Sequence, residues 1–167
     1  HAAALGCPRV MVNQGTLAPE VRQQAIDALR KINAYAKQKN VFVTMENRGY
    51  GAPGNRTVAT TAPAPPTPPS WDVVVEVIRA AGIRANPDVG NFPDEETRAQ
   101  GLRAMYPLSS GSSHCHYNPE RYDEARALRI AKEVGYRGLF SIEAASNNGP
   151  DPYAAVQTIL DELLKDI

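Results

Sequence analysis

Four polar positions recur at comparable places along this 167-residue chain: Glu46, Asp88, the pair His114 and His116, and Glu143. Each ends, or nearly ends, a short apolar or small-residue stretch, at 41–49, 86–91, 109–118 and 139–146. Two or three carboxylates plus an imidazole form a donor set for one divalent cation, Mn²⁺, Mg²⁺, Co²⁺ or Zn²⁺. Taken singly, a Glu at a strand end reads as a loop salt-bridge partner and a His as a core residue. Four such positions at the same phase of successive units read as a site.

The intervening stretches supply the scaffold. Residues 8–15 and 41–45 read as strands, and between them Val21, Ala25, Ala28, Leu29, Ile32 and Ala36 recur at helical spacing behind Pro19 and Glu20. Residues 52–70 hold six of the 14 prolines and few large apolar side chains, which predicts an extended surface loop inserted in the domain. Ser70 is placed to cap a helix over 71–81 with Val74, Val77 and Ile78 as its core stripe, ended by Gly82. A strand at 83–86, a helix at 95–105 capped by Asp94 and broken by Pro107, and a Ser- and Gly-rich strand at 108–116 follow. A helix at 122–134, a strand at 138–143 and a helix at 152–164 complete the chain, the last expected to bury Tyr153, Val156, Ile159, Leu160 and Leu163. Strand and helix alternate throughout, and helical crossovers join parallel strands, so a parallel α/β fold is predicted for a single domain spanning 1–167.

In such a fold every strand ends at one face, where ligands sit. Alternation puts His114 and His116 on one side of their strand and Cys115 on the other, under a helix and away from the site. His116, nearer the strand end, is the favoured ligand, with His114 one layer deeper or supporting it. Asn47, Arg48 and Asn91 lie beside the ligands and are candidates for binding substrate hydroxyls, followed by Asn118, Arg121 and Asn13. Gly90 and Gly149 are expected to serve backbone geometry, and Trp71 to pack its helix against a loop.

Composition narrows the partners. Eighteen basic and eighteen acidic residues cancel, leaving no basic face for nucleic acid or an anionic membrane. Two cysteines are too few for a disulfide scaffold, and no apolar run approaches the roughly 20 residues that span a bilayer. The first residues lack the pattern of a secretory signal, so the compartment is left open with the cytoplasm as default.

With Met-Glu-Asn-Arg-Gly (45–49), Pro-Asp-Val-Gly-Asn-Phe (87–92), His-Cys-His (114–116) and Ser-Ile-Glu (141–143) placed, the chain resembles the xylose isomerase-like TIM barrels of sugar phosphate isomerases and epimerases. The resemblance implies one divalent metal on Glu46, Asp88, His116 and Glu143. It implies a sugar, sugar phosphate or polyol substrate, isomerised or epimerised through an enediolate with Glu46 and Glu143 moving the proton. Asn91 stands where ketose 3-epimerases of that group carry a substrate-contacting His. Asn118 and Pro119 stand where many relatives have Lys or Asp. A full barrel takes about 250 residues and eight strands; the resemblance therefore implies a partial barrel of about five βα units, strands four to eight, with an upstream part missing or two chains completing each other as a homo-oligomer. The rival functions are a metal-dependent lyase or hydrolase on the same barrel, and a non-catalytic half barrel or carbohydrate-binding module.

Overall fold

Parallel pairing of short strands organises the chain. The computed structural model describes residues 1–13, 15, 17–48, 70–116, 118, 120–144 and 151–165. Its strands are β1 (Arg9–Val12), β2 (Phe42–Glu46), β3 (Arg84–Asn86), β4 (Ser112–Cys115) and β5 (Leu139–Ile142). The helices between and after them are α1 (Pro19–Lys37), α2 (Trp71–Ala81), α3 (Glu95–Met105), α4 (Glu124–Glu133) and α5 (Pro152–Lys165). β1, β2 and β3 pair in parallel, as do β4 and β5. The two groups are joined by isolated parallel bridges, Ala85 to Ser109 and Asp88 to His114. Five consecutive parallel strands, each followed by a helix, make a partial (β/α) barrel of TIM type. The expected insertion at 52–70 lies outside the described residues apart from Ser70.

The join between β3 and β4 is thin for a chemical reason. Pro87 has no N–H to donate, so the ladder there runs from His114 N to the Pro87 carbonyl at 2.8 Å and from Val89 N to the His114 carbonyl at 3.2 Å. The hydroxyl of Ser113 adds a bond to the same Pro87 carbonyl at 2.7 Å. This also explains why β4 begins at Ser112 rather than 108: a 3-10 turn over Tyr106–Leu108 occupies the start of the expected strand.

Register fixes which side chains face the site. Glu46 pairs with Asn86, and His114 with Ser141. With a two-residue period, Phe42, Thr44 and Glu46 share the concave face with Asn86 and Asp88, with His114 and His116, and with Ser141 and Glu143. Val43, Met45, Ala85 and Cys115 face the helices, each no more than 1% exposed. Val74, Val77 and Ile78 of α2 are fully buried in the same core, each worth about 1.5–3 kcal/mol.

Helix ends partly follow expectation. Asp94 caps α3 by accepting from Thr97 N at 2.8 Å, and Gly82 closes α2 with φ 66°. Asp123 caps α4, accepting from Arg126 N at 3.0 Å. Ser70 occupies the N-cap of α2, but its side chain makes no capping bond and instead meets Asp72, lowering that carboxyl's pKa. Two apolar stripes differ from the prediction. α1 buries Ile26, Leu29, Asn33 and Ala36 while Ile32 is exposed, because the Asn33 amide turns inward to the Gly82 carbonyl at 2.7 Å. α5 buries Ala155, Ile159 and Leu163 but leaves Tyr153, Val156 and Leu160 exposed; it packs mainly on β5, and one strand covers only a narrow stripe. Trp71 packs beside Gly101 of α3, where an added Cβ would lie 3.2 Å from its Cγ; the loop preceding it lies outside the described residues.

Asp94→Ala is expected to lower the urea midpoint of unfolding, as the loss of a cap does. Ser70→Ala should stay within about 0.5 kcal/mol, as surface changes do.

Candidate metal centre

The concave face gathers carboxylates and imidazoles at the C-terminal strand ends. Donor atoms of Glu46, Asp88, His114 and Glu143 all lie within 4.8 Å of one another. Trans ligands on a cation with 2.0–2.1 Å bonds stand about 4.2 Å apart and cis ligands about 3 Å, so the group is the right size after a small contraction. Three oxygens and one nitrogen form a hard, borderline set of the kind that takes Mg²⁺, Mn²⁺, Co²⁺ or Zn²⁺.

Each ligand candidate is held by its neighbours. His114 Nδ1 lies 3.3 Å from Glu46 Oε1, 3.2 Å from Glu143 Oε2 and 3.9 Å from Asp88 Oδ2. His116 Nε2 lies 2.9 Å from Asp88 Oδ2 and 3.9 Å from Glu143 Oε2. Asp88 Oδ1 accepts from Gly90 N at 2.7 Å. Glu46 receives the Asn91 amide on Oε1 at 3.3 Å and faces Arg48 Nε across 3.4 Å on Oε2. Gly90 is required for space: a Cβ there would sit 2.9 Å from His116 Cδ2 and 3.3 Å from Asp88 Oδ1.

Electrostatics follow from burial and pairing. Burial, aided by the Asp88 charge, raises the Glu46 pKa despite the opposing hydrogen bond from His114. Burial also pushes Asp88 up, but its bonds with His116 and Glu46 outweigh this and hold it below the usual carboxylate value. His114 is raised by its bond to Glu46. His116 is lowered by burial yet raised on balance by Asp88.

The sequence candidates divide by position. Glu46, Asp88, His114, His116 and Glu143 come together, but it is His114 rather than His116 whose nitrogen joins the four-donor group, since the strand delivers His114 level with Asp88. Asn91 and Arg48 border the cluster, and Arg48 also donates to Asn13 Oδ1 at 2.6 Å. Asn47, expected to bind substrate hydroxyls, faces the loop after β3. It is buried and commits its amide to the loop after β3, donating to the carbonyls of Asp88 (3.0 Å) and Asn91 (3.3 Å) and accepting from Asp88 N (2.8 Å). The Asn118 carbonyl accepts from the backbone N–H groups of Arg121 and Tyr122 in the turn before α4, and Arg121 is exposed. Cys115 faces away as expected, donating to Glu124 Oε1 at 2.6 Å. Gly149 lies outside the described residues. Arg98 and Tyr122, which sequence reasoning passed over, lie directly behind the two ligand loops; the Glu95–Arg98 spacing looks like an ordinary exposed helix pair.

Comparison with solved structures places this geometry among known barrels. A xylose isomerase domain protein from Planctomyces limnophilus matches with TM-score 0.68 at 17% identity, over 98% of this chain and 59% of that one. A D-allulose 3-epimerase from Methylomonas sp. matches with TM-score 0.73 at 13% identity, over 99% and 65%. The fold is that of the xylose isomerase-like TIM barrels. A further such barrel, from Mycobacterium smegmatis and solved in complex with magnesium, matches with TM-score 0.64 at 16% identity, over 99% and 64%. The chain thus spans about three fifths of the length of these structures. No protein-family model matches it, and no curated protein matches it in sequence.

Two outcomes follow from the geometry. Gly90→Ala should displace the His116 ring and weaken Mn²⁺ binding at least tenfold by calorimetry, with the far-UV spectrum unchanged. The second concerns pH. His114 and His116 have folded pKa values above the ordinary 6.5, so in metal-free protein they contribute stability that is full below that value and lost as pH rises through their folded values. Glu46, raised above 4.5, acts in the same direction at lower pH. Melts in chelator should therefore fall from pH 5.5 to 8.5, while Mn²⁺ affinity climbs as the same protons leave.

Proposed function

We propose that Glu46, Asp88, Glu143 and an imidazole of the His114/His116 pair hold one divalent cation. In the protein to which this chain belongs, the site would isomerise or epimerise a sugar, sugar phosphate or polyol. The convergence of four donor atoms within 4.8 Å at the strand ends carries this reading. The fold neighbours support it: one is an epimerase solved with D-allulose, another a barrel solved with magnesium.

When bound, a divalent cation would supply Lewis acidity toward a carbonyl and an adjacent hydroxyl, acidifying the C–H between them. The chain's residues do the rest. Glu46 is the candidate base, a buried carboxylate at the end of β2 among the other donors. Asn91 and Arg48 fix its two oxygens. Glu143, half-exposed at the end of the far strand, would act from the other side of the reacting carbon as the candidate acid. Which carbon is reprotonated decides between epimerisation and isomerisation.

A second reading has its own observation. Phe42, Met11 and Leu139, on the concave face by strand alternation, are 48%, 45% and 69% exposed. A pocket with one wall among the described residues binds a metal or carbohydrate without turning it over.

Metal content after dialysis decides the site. Near-stoichiometric divalent metal in the wild type, lost in Glu46→Gln/Asp88→Asn, is the expected result; no metal in either removes the reading. His114→Asn and His116→Asn compared singly identify the imidazole ligand, His114 by the four-donor geometry and His116 by the sequence resemblance. In whichever full-length form has activity, Glu143→Gln should reduce turnover by at least 10³-fold, a general acid–base contribution, with the fold retained; unchanged turnover refutes its role.

A further inference from the structure

Behind the ligand loops lies a cation that the proposed chemistry does not use. Arg98, on the inner face of α3, is 2% exposed, a degree of burial that arginine reaches only with partners. Its Nε donates to the Val89 carbonyl at 2.7 Å, and its Nη1 meets Glu95 Oε1 at 2.5 Å. Its guanidinium carbon lies 4.4 Å from the centroid of the Tyr122 ring. The Tyr122 hydroxyl in turn donates to the backbone carbonyl of His116. Glu95 Oε1 also accepts from Asp123 N at 2.6 Å, tying the start of α3 to the start of α4.

One buried guanidinium therefore reaches both loops of the candidate site. On one side it holds the residue next to Asp88, and on the other, through Tyr122, the carbonyl of His116. These loops bring Asp88 and His116 to 2.9 Å of each other across the thin β3–β4 join. Asn47 holds the same Asp88–Asn91 loop from the opposite side. We propose that Arg98 is a positioning residue that fixes the spacing of the loops after β3 and β4, and thereby sets the divalent-cation affinity of the site without touching the cation. The affinity claim rests on the metal reading above; the bracing is readable without metal.

The choice of side chain follows from its geometry. A planar guanidinium stacks on a ring while donating in its own plane, so one group serves Tyr122, Val89 and Glu95 together. A lysine ammonium lacks the plane and cannot keep all three.

The test compares Arg98→Lys and Tyr122→Phe with Leu102→Ala, a control at another fully buried position of the same helix. Mn²⁺ affinity is measured by calorimetry, and amide exchange at Val89 and Gly90 by NMR in chelator; these amides donate to the His114 carbonyl at 3.2 Å and to Asp88 Oδ1 at 2.7 Å. Arg98→Lys should weaken Mn²⁺ at least tenfold and speed exchange at Val89 and Gly90 more than across α2. Tyr122→Phe, which keeps the ring and loses the bond to His116, should shift both in the same direction by a smaller factor. Leu102→Ala should lower the melting temperature and leave Mn²⁺ affinity alone. If Arg98→Lys merely lowers the melting temperature, with exchange and affinity unchanged, the positioning role is refuted. Should that variant not fold, unchanged affinity and exchange in Tyr122→Phe refute it instead. A wild type that binds no Mn²⁺ overturns the metal reading and the affinity claim with it, while exchange in the two variants still decides the bracing.

Discussion

A carboxylate with no exposed surface sits at the centre of this molecule, and much of the surrounding structure compensates for it. Asp88 is 0% exposed, and an isolated ionised group would not survive there without changing its protonation. It stays charged because the Gly90 N–H and His116 meet its two oxygens. Both partners impose conditions. His116 can approach only where residue 90 lacks a Cβ, and the loop from Asp88 to Asn91 keeps its shape through the Asn47 amide in front and the Arg98 guanidinium behind. Glu46 shifts the other way: burial first, and then the neighbouring Asp88 carboxylate, raise its pKa.

That division of charge gives the cluster its chemical character. Burial and the Asp88 charge raise Glu46, while bonds with His116 and Glu46 hold Asp88 down although it is the more deeply buried of the two. His114 is placed among three carboxylates, and its bond to Glu46 raises its pKa. A proton and any cation bound there would compete for one location.

The fold was largely legible because apolar period and strand parity are local properties. Val74, Val77 and Ile78 announce α2, and the alternation through His114, Cys115 and His116 sends the thiol to Glu124 and the imidazoles to the site. What stayed hidden were buried polar residues, whose sequence signature matches that of surface ones. Asn33 turned the buried face of α1, Asn47 turned inward to the loop after β3, and Arg98 lay under the loops. Amphipathic spacing also says how wide an apolar stripe is, but not how many neighbours cover it, hence the exposed half of α5.

The weak join between β3 and β4 runs directly beneath the cluster. Glu46 and Asp88 belong to one group of paired strands and the imidazoles and Glu143 to the other, with two isolated bridges between them. Cooperative units of a protein follow dense pairing and part where it is sparse, so this boundary divides the sheet into two segments able to open separately. Any ion gripped from both sides would act as a rivet across that boundary, merging the segments into a single unfolding transition.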